Sequence, residues 1–425
     1  MILDNLISNA IKSYRSMTMS DVISDWMSGK SEELPSETSS GAHVSPATAL
    51  TLSTIYACVK ILADTSASLP LQVYKQIQPK GKELAREHYL YKLLHDKPNP
   101  FQTSFKWRHL MMTHKCLWGA GISEIEWDKN GYPIALWPIP PWRVKPLRTK
   151  DGEIFYKVFL DSGGSNYKLL AYTDVIVFSA TSTSSFEWMS PVKVQRETIG
   201  MAMAVKEFGA KTFGQGTNPA AIVTYQGRMK EGAEQSLEDK MKKYVGLGKS
   251  HRLMLLENGM EFKRVGLPPE DAQFLETQRF SVSEIARIYN IPLYMLHELE
   301  KQTSFGTGVE EQKNGFVTFS LTPHLVQDEQ EFKDKLFSDI APGYFPEYNL
   351  NALLRGKLAD RVLAYGKLFA MGSISANEIR EKENMNPVKD GDKYYVPLNI
   401  SEVDKLNDNQ VISEDDNDND NDDKE

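Results

Sequence analysis

SPVKVQRETIGMAMAVKEFGAKTFGQGTNP, residues 190–219, opens as a helix does. Ser190 offers a side-chain oxygen to the first turn, and Pro191 brings a backbone φ already set for the first helical position. The pattern predicts a helix of about 20 residues from there to near Phe213, ended by Gly214-Gln215-Gly216. A second helix is predicted from Pro268-Pro269, with Asp271 in its first turn and Leu275, Val282, Ile285, Ala286 and Tyr289 as its apolar positions. It ends at Asn290-Ile291-Pro292. Between the two lies a small α/β insert: a strand at Ala220 to Tyr225, a helix from Glu231 to Tyr244, and two strands joined by Asn258-Gly259, the preferred chemistry of a two-residue hairpin. Because the insert leaves and returns at one place, the helices should run side by side as a stem carrying a small head.

Upstream, TALTLSTIYACVKILADTSASL places Leu52, Ile55, Tyr56, Val59, Leu62 and Ala63 on a helical stripe, and LPLQVY at Leu69 to Tyr74 alternates like a strand. A further helix is predicted over residues 102–118. From Ile122 to Phe178 the runs ISEIEW, IALWPI, RVKPL, IFYKVFL, KLLAY and DVIVF, separated by turns such as DKNGY and DSGGSNY, predict an antiparallel β-rich unit. Downstream, the polar loop KQTSFGTG leads into a helix from Val309 towards Phe337. Pro323 lies inside it, removing a backbone hydrogen bond and predicting a kink. Residues 358–385 read as helical again. At the N-terminus Ile2, Leu3, Leu6, Ile7, Ala10 and Ile11 form an apolar stripe, suited to a partner or to a short helix that frays, ahead of a polar linker.

The chain has 425 residues, 41 % of them hydrophobic and 25 % charged, which fits a globular protein of two to four folding units. Its net charge is −8; residues 414–425 hold eight acids against Lys424, and taking that −7 away leaves −1 for the rest. A nearly neutral body argues against tight, sequence-independent DNA binding through many phosphate contacts. Cys58 and Cys116 sit in apolar stretches without CxxC spacing and read as buried thiols in a reducing compartment. No run of 18 apolar residues exists, so no membrane partner is expected, and Asp4 and Asn5 break any signal-peptide core near Met1. Synthesis in the cytoplasm is the expectation.

Catalytic signatures are missing. There is no GxxxxGK[ST] loop for ATP, and Gly119-Ala120-Gly121 lacks the context of a dinucleotide fold, so tight packing is its expected role. His109 and His114 stand five apart, on different helical faces, and the acidic tail lacks the glycine and closing glutamate of a calcium loop. No metal, no cofactor and no catalytic residue is expected.

The segments TLSTIYACVKILADTSASLPLQVY, HYLYKLLHDKPNP, WPIPPWRVKP, the two stem stretches and TFSLTPHLVQDEQEF, in this order over residues 45–400, resemble the phage portal protein family, in the branch named after the Hong Kong ninety-seven phage. The resemblance implies an α+β fold. On this reading residues 1–44 would be a flexible N-terminal segment, 45–189 a β-rich wing, and 190–217 and 267–292 the stem helices. The small α/β clip spans 218–266. Residues 293–357 would comprise the tunnel loop, the kinked tunnel helix and a return to the wing, 358–400 a helical crown, and 401–425 an acidic disordered tail.

The resemblance also implies the portal subunit of a tailed bacteriophage: a homo-oligomeric ring, twelve copies in the virion, forming the channel at one capsid vertex for double-stranded DNA. Its implied partners are the terminase large subunit, the head-to-tail adaptor, the major capsid protein and a scaffold, with the host cytoplasm as the place of assembly. DNA-channel candidates are Lys301, Gln302, Thr303, Ser304 and Phe305 in the tunnel loop, and Lys206 and Lys211 on the first stem helix. The rival reading is a phage nuclease or capsid-processing protease, which the lack of a paired-carboxylate or nucleophile-base motif disfavours.

Overall fold

In a computed structural model, residues 36–161, 165–184, 186–215, 221–224, 261–264, 271–298, 312–338, 341–350, 353, 358–383 and 385–395 are described. The chain divides into two units, Met1–Asn349 and Leu350–Glu425. The predicted N-terminal stripe, Tyr225, the helix at 231–244, the Asn258-Gly259 hairpin, the loop at 301–305 and the acidic tail lie outside the described residues.

The first unit opens with a short hairpin, β1 (Ser36–Glu37) and β2 (His43–Val44). These residues were expected within a flexible segment. The turn is instead tied down: Thr38 Oγ1 hydrogen-bonds both the N–H and the carbonyl of Ala42, and Ser39 N donates to Glu197 at 3.0 Å. After the short helix α1 (Pro46–Ala49) comes α2 (Ser53–Ser68), which buries Ile55, Cys58, Val59, Leu62 and Ala63. Tyr56, expected on that stripe, is exposed, because it sits one residue, about 100° around the helix, from Ile55 and Cys58 fills the inward position. Strands β3 (Leu71–Gln76) and β4 (Lys82–Leu84) follow, then the single turn α3 (Tyr89–Tyr91).

Buried Asn99 fixes the next bend. Its carboxamide oxygen accepts from Phe101 N and Gln102 N, and its Nδ2 donates to Leu136 O at 2.9 Å. Thr103 caps α4 (Ser104–Trp118). The β-rich region then builds β5 (Ala120–Trp127), β6 (Pro133–Ile139), β7 (Val144–Arg148), β8 (Ile154–Phe159), β9 (Tyr167–Ala171) and β10 (Val175–Ser179), close to the six predicted runs. They form two antiparallel sheets, ordered β10-β5-β6 and β7-β8-β9. The DKNGY turn works through Asp128, whose Oδ1 accepts from Asn130 N and Tyr132 N while Gly131 takes φ 81°. Ile122, Ile139, Val144, Tyr156, Val158, Leu170 and Val175 make a core shared by the two sheets.

Ser190 caps α5 (Pro191–Val194) by accepting from Lys193 N, as the sequence suggests. The predicted single helix breaks once, at Gln195 (φ −98°, ψ 23°), before α6 (Arg196–Gln215). Strands β11 (Ala221–Thr224) and β12 (Glu261–Arg264) pair antiparallel, Ala221 with Arg264, and α7 (Asp271–Ile288) follows. Since the strand after α6 pairs with the strand before α7, and the two helices pack on each other, they run antiparallel. The last long helix consists of a π turn at Phe316–Leu321, then α8 (Thr322–Phe332), then a second π turn at Lys333–Phe337. Finally β13 (Tyr344–Tyr348) returns some 270 residues along the chain to pair with β3, Leu71 opposite Tyr348.

In the second unit, the helical reading of residues 358–385 corresponds to two helices, α9 (Leu358–Ala370) and α10 (Ala376–Lys382). Gly372, at φ 67°, ends the first. Ser375 starts the second through a capping box, its hydroxyl accepting from Glu378 N while the Glu378 carboxylate accepts from Ser375 N. Arg361 grips both oxygens of Glu383 at 2.9 and 2.7 Å and ties the two helices together.

Candidate functional site

Pro323 marks where the long helix is interrupted. It cannot donate to the carbonyl of Phe319 four residues upstream, so that carbonyl instead accepts from the side chain of Asn290 at 3.1 Å. The turn before it widens into the π turn, with the Val317 carbonyl taking both the backbone N–H and the hydroxyl of Thr322. Asn290 sits at φ 52° just past α7, and its own carbonyl accepts from the Ser320 hydroxyl. The end of α7 is thereby stitched to the proline break.

Beyond the break, α8 is clasped on three sides by its own polar residues. Gln327 Nε2 donates to Ser179 Oγ at 2.9 Å and Glu331 accepts from Val177 N at 3.0 Å, which fixes the helix to β10. Glu329 accepts from Tyr348 N at 2.7 Å, which fixes it to β13 in the sheet ordered β13-β3-β4. Asp328 accepts from Lys115 Nζ on α4 at 3.1 Å, with the two side chains 5 % and 1 % exposed. Around them Arg108 donates to the carbonyls of Ser66 and Leu69 and lies over the Tyr348 ring, while Lys335 donates to Tyr172 O at 2.9 Å. Trp107, Phe178 and Phe332 pack ring against ring beneath the clasp.

The electrostatics follow from burial. Asp328 is pushed up to about 6, with Lys115 and Arg108 pulling back, and Glu329 is pushed up to about 7, with the Tyr348 N–H opposing. Burial also raises Glu331 and lowers Lys335. His324 falls to about 4 and His114, enclosed by Trp118 and Trp142, to about 3, so both rings are neutral at pH 7.

Between about pH 4.5 and 7 the folded chain holds a proton on Glu329 that the unfolded chain has released. Through this group stability therefore rises as pH falls from 7 and is lost as pH rises through about 7. Glu329→Gln is expected to flatten the dependence of melting temperature on pH over about pH 5–7.5. An unchanged slope would remove Glu329 as its source.

Chemically this is a mounting. Asp328, Glu329 and Glu331 each accept from a donor on another element, and no group of three or more metal-ligating side chains occurs among the described residues. Cys58 and Cys116 are free, buried thiols, both pushed up to about 12 by desolvation. Of the sequence candidates, Lys206 is exposed and donates to Thr51 O at 2.8 Å, and Lys211 pairs with Glu207 at 2.6 Å one turn away. Residues 301–305 lie outside the described residues; the clasp holds the helix that follows them in sequence. Its members were not singled out from the sequence. A signal existed in Arg108 and Lys115, seven apart on a helix face otherwise made of Trp107, Met111 and Cys116.

The family described as "Phage portal protein" matches residues 53–384, more than three quarters of the chain. The chain is 32 % identical to the probable portal protein of Streptomyces phage phiC31, covering 86 % of this chain and 81 % of that protein. It is 27 % identical to the portal protein of Enterobacteria phage HK97, covering 82 % and 83 %. Among solved structures it is similar to a chain from the neck of a native gene transfer agent particle computed with C12 symmetry, at a TM-score of 0.57 and 19 % identity, over 80 % of this chain and 92 % of that one.

Proposed function

This chain belongs to the phage portal protein family, and we propose that identical copies of it form the ring-shaped channel at one capsid vertex through which double-stranded DNA is packaged and later ejected. The observation that carries this reading is the clasped helix: three acids and a glutamine fix α8 to β10, to β13 and to α4, a rigid mount for the residues that precede it. A conduit must touch phosphates weakly and many times, because a deep electrostatic well would stall the moving duplex. The near-neutral body and the pairing of Lys211 with Glu207 support that.

In this reading residues 45–189 are the wing, 190–217 and 267–292 the stem, 218–266 the clip facing the terminase large subunit and then the head-to-tail adaptor, and 358–400 the crown inside the capsid. Twelve copies sit in the virion after assembly in the host cytoplasm, against the major capsid protein and a scaffold. The chain performs no catalysis, and incubation with DNA and magnesium is expected to leave the duplex intact.

Lys301, Gln302, Thr303, Ser304 and Phe305 follow the duplex, with Lys206 and Lys211 flanking the bore. Replacing residues 301–305 by a glycine-serine linker is expected to leave ring assembly intact and to lower packaged DNA per particle at least tenfold. Unaltered packaging would take the loop out of the channel.

A further inference from the structure

The hairpin of β1 and β2 fixes where residues 1–35 join the rest of the chain. It sits on the start of α6, where Ser39 N donates to Glu197 at 3.0 Å and Thr38 comes so near Gly200 that a Cβ there would lie 2.6 Å from its Oγ1. Because α6 and α7 run antiparallel and pack on each other, the start of α6 lies beside the end of α7. Residues 1–35 therefore enter at that end of the stem.

The same end carries an open apolar groove of about 430 Å³, between the last turn of α7 and the π turn at Phe316–Leu321. Its volume falls in the range of about 300–1,000 Å³ typical of sites that bury a ligand. Ala286, Pro292, Leu293, Phe316 and Phe319 line it, and Phe319 leaves 73 % of its surface in solvent. Gln312 adds one polar feature: its Oε1 is buried and has no hydrogen-bond partner among the described residues. A fitting occupant brings an apolar row and one donor.

Residues 2–14 have both. Leu3, Leu6, Ile7 and Ala10 follow the i, i+3, i+4, i+7 spacing with which a helix lays one face into a groove. Continued, that spacing brings Ser13 and Tyr14 onto the same side, and either hydroxyl is a donor for the Gln312 oxygen. Reach is sufficient: residues 15–35 span about 23–28 Å as a coil, against about 8–10 Å between the axes of packed helices. The stretch leading directly into Gln312, residues 301–311, is a poorer match, since its large apolar side chains are Phe305 and Val309 alone.

We propose that residues 2–14 dock as a helix in this groove of their own chain, with Leu3, Ile7 and Ala10 against Phe316 and Phe319. The contact lies within one chain, so it stands or falls apart from the ring. The first test is disulfide formation in the full-length chain. Phe319→Cys is combined in turn with Leu3→Cys, Ile7→Cys and Asn9→Cys, the last on the opposite side of the helix; Cys58 and Cys116 are buried and do not compete. Under mild oxidation the Leu3 and Ile7 pairs are expected to close about fivefold faster than the Asn9 pair. The product is a band of single-chain mass on a denaturing gel, with the linkage read by peptide mass. Equal rates for all three pairs, or no closure, overturn the proposal; links formed only between chains overturn it in favour of a neighbouring copy's segment.

The second test needs no new cysteine. Leu6→Asp/Ile7→Asp is expected to speed amide hydrogen exchange over residues 316–321 about tenfold and to leave β5 unchanged. Exchange that stays at the parent rate would mean that residues 2–14 do not cover the groove, whether it stands open or holds residues 301–311.

Discussion

Asp328→Ala is expected to lower the stability of the first unit by about 3–5 kcal/mol, seen as a shift of its denaturant midpoint at constant slope. The magnitude comes from what is left behind. Lys115 is 1 % exposed and Asp328 holds its ammonium at 3.1 Å, so truncating the acid strands a cation away from water. Replacing both partners by apolar residues, Lys115→Met with Asp328→Leu, removes the stranded charge and should recover most of the loss, because the pair itself adds little beyond its own desolvation cost. A double variant as unstable as the single one would mean that shape, not charge, sets the cost.

Gly119→Ala is expected to cost about 2–5 kcal/mol, from two separable sources. Gly119 ends α4 at φ 88°, where an L side chain costs about 1–2 kcal/mol. A Cβ there would also lie 2.3 Å from the Met189 carbonyl oxygen, and the Gly119 carbonyl is held at 2.7 Å by Ala180 N, so neither backbone can yield cheaply. Gly131 is the control: its φ is 81° but an added Cβ meets nothing within 4 Å, so Gly131→Ala should show only the conformational part. Equal losses at both positions would mean that the close approach to Met189 costs nothing.

These two sites show what a sequence can and cannot convey here. The packing role expected of Gly119-Ala120-Gly121 is legible because a left-handed helix end selects glycine, and Gly121 likewise would put a Cβ 2.4 Å from Met111 O. The six strands between Ala120 and Ser179 follow from alternation and turn residues that act over two to five positions. The break at Gln195 lies inside the helix predicted from Ser190, while the start of the second helix within residues 358–385 is carried in plain text by the capping box of Ser375-Ala-Asn-Glu378.

The clasp was least legible for a physical reason. Lys115 and Asp328 are 213 positions apart and Glu329 meets a backbone N–H, so no local pattern announces either contact. Pro323 was read as a kink, and the structure adds the compensation: a π turn before it and the Asn290 amide on the carbonyl it leaves bare. The DNA-channel candidates came from the resemblance alone, since a polar loop rich in Gly, Ser and Thr looks like any surface loop.

The most direct test of the channel is the mass and shape of the purified full-length particle, by native mass spectrometry with negative-stain images beside it. The expected result is a ring of about twelve copies with a central hole. A particle that stays monomeric or dimeric across protein concentration and salt, with a scaffold or capsid protein supplied as well, would contradict it.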